Sequence, residues 1–237
     1  MKIVLDTHTH TLVSGHAYNT IREMARMAKE KGLEALAITE HAPAMPGTCH
    51  EFYFQNLEIL PRQMEGVKMF FGSEVNLLDE KGTLDLAERT LKGLDIAIAS
   101  IHPHCFKTEI TMENVMGAYF HAMENPGIHI IGHPDDGRFP VDYEALVLKA
   151  KETGTLLELN NSSLTPGGFR MNAYGNDLKM LTYCKKYGVP ITLGSDAHVD
   201  VDIAEYEAAK KLIAECEFPE ELIINTSVDK LEKILDI

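Results

Sequence analysis

The residues that could do chemistry begin near the N-terminus, in Asp6-Thr7-His8-Thr9-His10. In an extended segment residues two apart point the same way, so both imidazoles can grip one cation. An isolated H-x-H is a weak signal, since most such pairs are surface or core histidines. Here it opens a series. A metal-capable or strongly polar group follows each apolar run: His8 and His10, Glu40 and His41, Glu74, His102, His133, Asn160 and Asn161, then Asp196 and His198. Imidazole suits zinc, iron or manganese, and carboxylates such as Glu74 and Asp196 can bridge ions and offset charge that neutral histidines leave. With 11 histidines in the chain, the donor supply exceeds one mononuclear site.

Such groups need elements that converge on one place. The apolar runs have strand length: Lys2 to Asp6, Leu33 to Thr39, Val67 to Phe71, Leu94 to Ser100, Ile128 to Ile131, Thr155 to Leu159 and Val189 to Leu193. Their interiors are continuous rather than alternating, as expected of parallel strands covered on both faces. Between them Ile21, Met24, Ala25 and Ala28 fall at i, i+3, i+4, i+7, with Thr20 and Glu23 spaced as a capping box and Gly32 as a stop. Met24 and Met27 read as core filler. Helical patterns recur over Thr111 to Glu124, Asp142 to Thr153, Asp177 to Tyr187, Ile203 to Glu215 and Val228 to Leu235, less regularly over Phe52 to Gln63 and Leu84 to Leu91. Seven β then α units suit either an open doubly wound sheet or a barrel. In an open sheet only strands beside the switch point reach the ligand, whereas in a barrel every C-terminal strand end faces one site. Because all seven runs end in polar groups, the expectation is an α/β fold, a (β/α)7 TIM-like barrel with the metal site at the C-terminal ends of its strands.

Composition narrows the rest. The chain has 237 residues, within the range of one alternating α/β domain of roughly 250, and no linker-like stretch divides it, so residues 1–237 are read as a single domain. With 22 basic and 36 acidic side chains the formal charge is −14, which weighs against nucleic acid because phosphate backbones need a basic stripe. A small anionic substrate remains compatible if cations line the site. Cys49, Cys105, Cys184 and Cys216 are scattered, no export signal is evident, and no run approaches the ~20 apolar residues of a membrane span. The expectation is a cytoplasmic protein with no membrane partner; a homo-oligomer is compatible with it.

The H-x-H opening, His16 in Gly-His-Ala-Tyr, Thr-Glu-His at 39–41, Gly-Ser-Glu at 72–74, His102, Gly-His-Pro at 132–134 and Gly-Ser-Asp-Ala-His at 194–198 resemble the PHP (polymerase and histidinol phosphatase) superfamily over nearly the whole chain. Asn-Asn-Ser-Ser at 160–163 and the compact length resemble its YcdX-like phosphatase branch, which implies a single PHP domain folded as a distorted (β/α)7 barrel around three metal ions. Carried over residue by residue, the resemblance implies one metal on His8, His10, Glu74 and Asp196, a second on Glu74, His102 and His133, and a third on His16, His41 and His198. The ions would be three divalent metals, zinc first, with manganese or iron compatible. The implied reaction is hydrolysis of a small phosphate monoester by a metal-bound hydroxide, carried by the ligands Glu74, Asp196 and His198 with no protein nucleophile.

Two residues depart from the pattern. Glu40 stands where relatives commonly have Asp, which would re-route any hydrogen bond it makes to a ligand. His104 makes a second H-x-H with His102, and is a candidate substrate or proton-transfer residue, otherwise a loop histidine. Arg170, after the flexible Pro166-Gly167-Gly168-Phe169, is a candidate phosphate clamp, otherwise a surface arginine. His50, His121 and His129 are assigned to surface or packing. Competing functions are a phosphodiesterase or exonuclease and a histidinol phosphate phosphatase of the same superfamily, an amidohydrolase, and a metal-binding protein without catalysis. The loops Pro43 to Glu51, Phe106 to Thr111 and Asp135 to Pro140 select no particular leaving group by composition.

Overall fold

A computed structural model describes residues 1–237. Eight strands form one sheet: β1 (Leu5–Asp6), β2 (Ala35–His41), β3 (Gln63–Met64), β4 (Val67–Asn76), β5 (Ile96–Ser100), β6 (Ile130–Ile131), β7 (Leu156–Asn160) and β8 (Ile191–Gly194). Seven of them run parallel in the order β1-β2-β4-β5-β6-β7-β8. The two edges of that order approach each other without a full ladder. A lone parallel bridge joins Thr9 to Ala197, and the Asp196 amide donates to the His8 carbonyl (2.9 Å). Below it, Asn225 staples the seam: its Nδ2 donates to the Leu5 and Leu193 carbonyls (3.1 and 2.8 Å), and its Oδ1 accepts from the Leu193 amide (2.6 Å). The result is a nearly closed TIM-like barrel, as expected.

The continuous apolar runs explain the two-sided burial. Leu36, Ile38, Met69, Phe71, Ala97, Ala99, Leu157, Leu159, Ile191 and Leu193 face the helices in the main core, while Leu5, Ala35, Ala37, Phe70, Ile96, Ile98, Ile130 and Leu156 form a separate cluster inside the barrel. Leu231 and Leu235 of α8 (Val228–Leu235), with Ile224, join that inner cluster and plug the barrel's N-terminal end. Residues two apart share a face, so each inward row continues upward into polar groups: Thr39 and His41 after Ala37, Glu74 and Asn76 after Phe70 and Gly72, Glu158 and Asn160 after Leu156. The interior is therefore apolar below and polar above.

The connecting helices are α1 (Ile21–Glu30), α2 (Glu51–Gln55), α3 (Glu88–Leu91), α4 (Met112–Glu124), α5 (Tyr143–Thr153), α6 (Ala173–Tyr187) and α7 (Glu207–Glu215). The capping box of Thr20 and Glu23 starts α1 as expected, and Gly32 follows it in the left-handed region. Some boundaries differ from the periodicity. β4 extends to Asn76, so Glu74 lies inside a strand rather than after one. β3, not anticipated, pairs antiparallel with β4 through Glu65 and Gly66, both at positive φ, the backbone a two-residue hairpin turn requires. α7 begins at Glu207 rather than Ile203 because Asp200–Asp202 form a 3-10 turn and Ala204 adopts φ 56°. The pattern over Phe52 to Gln63 shrinks to α2 and a short 3-10 turn. No helix is long and apolar enough to cross a membrane.

Gly72 shows how tightly the wall is built. A Cβ there would lie 1.8 Å from the Ile96 carbonyl oxygen and 2.7 Å from its Cγ2. Gly72→Ala should therefore destabilise the protein by about 3 kcal/mol, the cost of overpacking against backbone, read as a lowered urea midpoint. An unchanged midpoint would show that the wall yields.

Candidate metal centre

The strand ends bring the expected ligands onto one carboxylate. Glu74, on β4 and 1% exposed, turns Oε1 toward His133 Nε2 (2.8 Å) and His102 Nε2 (3.3 Å). Its Oε2 faces His41 Nδ1 (2.7 Å), His8 Nε2 (3.4 Å) and His10 Nε2 (3.5 Å). Asp196 Oδ1 closes the group, 3.3 Å from His10 Nε2 and 3.6 Å from His8 Nε2. His16 completes the far side, its ring centroid 4.8 Å from that of His41 and 4.7 Å from that of His198. The ligand atoms of His10, His41 and His198 lie within 4.8 Å of one another, as do those of His8, His10 and Glu74 and those of His41, Glu74 and His102. His41 thus stands between the histidines of the outer group and the Glu74 carboxylate.

Four of the imidazoles are held by their other nitrogen. His8 Nδ1 donates to Glu158 Oε1 (2.7 Å), His102 Nδ1 to Asn76 Oδ1 (2.8 Å) and His198 Nδ1 to the Asp196 carbonyl (2.8 Å). His10 Nδ1 donates to Ser14 Oγ (3.1 Å), which itself donates to Glu40 Oε2 (2.6 Å). The Glu40 carboxylate also accepts from the Thr11 amide and hydroxyl, and it reaches the candidate ligand His10 through Ser14 rather than directly. Such partners fix the tautomer and leave the opposite nitrogen for a cation.

The donor set fits metal ions on three observations. With both Nδ1 protons committed, His8 Nε2 and His10 Nε2 stand 3.1 Å apart, and two lone pairs at that distance need a proton or a cation between them. His41 Nδ1 and Glu74 Oε2 are buried and lie 2.7 Å apart, yet neither has a hydrogen-bond partner. His133 and Asp196 hold φ values of 28° and 56°, a conformation non-glycine residues adopt at a cost of about 1–3 kcal/mol. The electrostatics agree. Burial depresses the His8 pKa, but the Glu158, Glu74 and Asp196 carboxylates more than reverse this and hold it well above the usual value. For Glu74 burial works upward, and His102, His41 and His8 outweigh it to hold the carboxyl well below the usual range. His10 is pushed down by burial and by His41 and His198.

A cavity of about 610 Å³ opens onto this cluster; His16, His41, His102, His198, His104 and Arg170 line it. Arg170 is not a surface arginine. Its side chain is 5% exposed, and its guanidinium donates to Asp196 Oδ2 (2.9 Å), Ser163 Oγ (2.9 Å) and Asn160 Oδ1 (3.2 Å). His104 is exposed on the cavity wall. The other histidines lie outside the cluster: His50 caps α2, His121 bonds the Gly117 carbonyl, and His129 Nδ1 accepts from the Ala97 amide. The residues that sequence reasoning missed are the holders Glu158, Asn76 and Ser14. Glu158 had a signal, being the one charge in the apolar run Thr155 to Leu159; the other two had none. Gly194 makes room for it, since a Cβ there would lie 1.9 Å from Glu158 Oε1.

Behind the site, Asp135 and Asp177 are fully buried, and none of their carboxyl oxygens has a hydrogen-bond partner. Burial, then Asp135 and Glu158, push the Asp177 carboxyl well above its ordinary 3.8.

Comparison with known proteins gives a consistent picture. A family model described as the PHP domain matches residues 6–164. A "probable phosphatase" of Thermoanaerobacter sp. (strain X514) is 46% identical over 235 residues, covering 99% of this chain and 95% of that protein. One of Clostridium novyi (strain NT) is 46% identical over 231 residues, covering 98% and 93%. The crystal structure of histidinol phosphate phosphatase from Lactococcus lactis, complexed with zinc, L-histidinol and phosphate, superimposes with a TM-score of 0.62 at 19% identity, covering 91% of this chain and 94% of that one.

Two outcomes follow from the geometry. Glu158→Gln should lower metal affinity about 10- to 100-fold, the usual loss when a partner behind a ligating histidine is changed, measured by chelator competition; unchanged affinity would mean His8 is held by packing alone. Asp177, with its folded pKa raised, contributes stability that is present below its unfolded pKa of about 3.8 and is lost as pH rises toward the folded value. Asp177→Asn should therefore stabilise the protein increasingly from pH 4 to pH 7, roughly up to 1.4 kcal/mol per pH unit, in thermal melts; a pH-independent difference would contradict the buried neutral carboxyl.

Proposed function

Since the chain belongs to the PHP domain family, we propose that it is a metal-dependent phosphatase acting on small phosphate monoesters at a centre of three divalent ions. The observation that carries this reading is Glu74, whose two oxygens face two separate groups of imidazoles, His102 and His133 on one side, His8, His10 and His41 on the other. A carboxylate so placed suits a bridge between ions. We assign one ion to His8, His10, Glu74 and Asp196, a second to Glu74, His102 and His133, and a third to His16, His41 and His198. Zinc is the first choice because the donors are mostly imidazole, and the Lactococcus histidinol phosphate phosphatase was solved with zinc. Ions held there supply Lewis acidity, easing the ionisation of water and neutralising charge on the phosphoryl oxygens.

The chain's own residues do the rest. Glu74 and Asp196 bring negative charge that offsets the cations. Glu158, Asn76 and the Ser14–Glu40 pair keep His8, His102 and His10 with one nitrogen facing inward. Arg170, at the cavity wall, orients Asp196 and offers its remaining N–H groups to a phosphoryl oxygen. His104 lines the same cavity and can exchange a proton with the leaving group. A monoester is favoured over nucleic acid because the cavity is local and the chain's charge of −14 repels a polyanion.

Glu74→Gln should remove tightly bound metal and cut phosphate release from an aryl phosphate by about a hundredfold or more, since metal stabilisation of several kcal/mol is lost at 1.36 kcal/mol per decade. Metal analysis and turnover on the same preparation test it. Full activity in metal-free protein would falsify the reading.

A further inference from the structure

A second arginine stands at the mouth of the cavity. Arg138 lines it together with Phe169 and Arg170, but the two guanidinium groups are used differently. Arg170 is spent inward on Asp196, Asn160 and Ser163, at the metal end. Arg138 is 30% exposed and is held from behind. Its Nε donates to both oxygens of Asp136 (3.0 and 2.9 Å) and its Nη2 donates to Oδ2. Its Nη1 makes no hydrogen bond.

The hold is a built one. Asp136 is 3% exposed, and burial of its carboxyl is outweighed by the hydrogen bonds from Arg138, so it stays ionised below its usual range. The loop carrying Arg138 is clipped to the loop after Phe169: the Gly137 amide donates to the Met171 carbonyl (2.6 Å), and the Met171 amide donates to Asp136 Oδ1 (3.4 Å). A Cβ on Gly137 would lie 2.6 Å from that Met171 oxygen, so the approach depends on glycine. The Arg138 guanidinium then sits 5.5 Å from the centroid of Phe169, a ring 67% exposed, and the Arg170 guanidinium 5.0 Å from it. Left alone, an exposed arginine samples many rotamers, and fixing it costs entropy at the moment of binding. Here that cost is met by the fold before any ligand arrives.

We propose that Arg138 is a specificity residue for the leaving group: its free edge, fixed over Phe169 by Asp136, takes a second anionic group, a carboxylate or a further phosphate, on the part of the monoester that departs. This deepens the phosphatase reading and rests on it. A fixed guanidinium that meets such an anion in a charge-assisted pair contributes about 10- to 100-fold in affinity.

The test compares metal-loaded full-length protein with Arg138→Gln and Arg138→Lys. The substrates are 4-nitrophenyl phosphate and glycerol 2-phosphate, whose leaving groups carry no second anion, 3-phosphoglycerate for the carboxylate, and fructose 1,6-bisphosphate for the second phosphate. Wild type should prefer at least one acid-bearing ester in kcat/KM, and which one identifies the anion. In Arg138→Gln that preference should shrink about 10- to 100-fold, through KM rather than kcat, with Arg138→Lys between the two because it keeps charge without the fork. A wild-type enzyme that turns over the esters without a second anion and shows no preference, or a variant that shifts all esters equally, overturns the assignment of Arg138. No turnover of any ester by the metal-loaded wild type overturns the phosphatase reading itself.

Discussion

Glu74 sets the problem that the rest of the structure solves. Five imidazole nitrogens lie within 3.5 Å of its two oxygens, on side chains that are buried or border the cavity. Burying that many polar atoms without partners is costly, because unpaired groups in a low dielectric lose their hydration and gain nothing in exchange. In the metal-free chain protons can hold the cluster together in part, which is what the raised affinity of His8 expresses. Divalent cations answer the same need more completely, since each can accept several lone pairs at once. Metal and proton would then compete for the same nitrogens, and metal affinity would become part of folding free energy. The left-handed backbone of His133 and Asp196 fits this account: the strain is local, and what it gains is the aim of two candidate ligands.

The barrel makes such a cluster affordable by separating chemistry from stability along each strand. Phe70, Ile98 and Leu156 close the lower interior with Leu231 and Leu235 beneath them, so the polar layer above rests on a packed floor rather than on water. Removing side chains matters as much as placing them. Gly72 lets β4 and β5 approach, and Gly194 leaves the volume that the Glu158 carboxylate fills behind His8. One row of alternating positions thus supplies floor, wall and ligand in turn.

This arrangement governs what the sequence could reveal. Candidate ligands at strand ends were legible because a histidine or carboxylate directly after an apolar run has no packing reason to be there, and six such cases in one chain point to a common centre. The grouping into separate ions came from family resemblance, not from spacing. Asn76 and Glu158 meet their histidines only after the barrel brings separate strands together, Glu158 lying 150 positions from His8, whereas Ser14 sits four positions from His10 and carries no signal of its own. β3 was hidden for a local reason, being a two-residue strand too short to carry a periodic signal, and so was the start of α7, where a left-handed Ala204 interrupts a helical pattern that composition alone would continue. Long-range contacts decide where Asn76 and Glu158 act, and local patterns cannot report them.

Charge links the centre to its surroundings. A chain with 14 more acidic than basic groups repels anions at a distance, and over more than a Debye length of about 8 Å salt screens even that field. Recognition of a phosphate ester must then come from fixed cationic groups at short range. Arg170 is buried and tied to Asp196, beside the candidate metal ligands; Arg138 is tied to Asp136 with one edge toward solvent. Both guanidinium groups are neutralised on one side by a buried carboxylate and directional on the other, so each adds hydrogen-bond geometry while adding little net charge. Discrimination among anions in such a cavity follows from where acceptors lie on the substrate rather than from how negative it is.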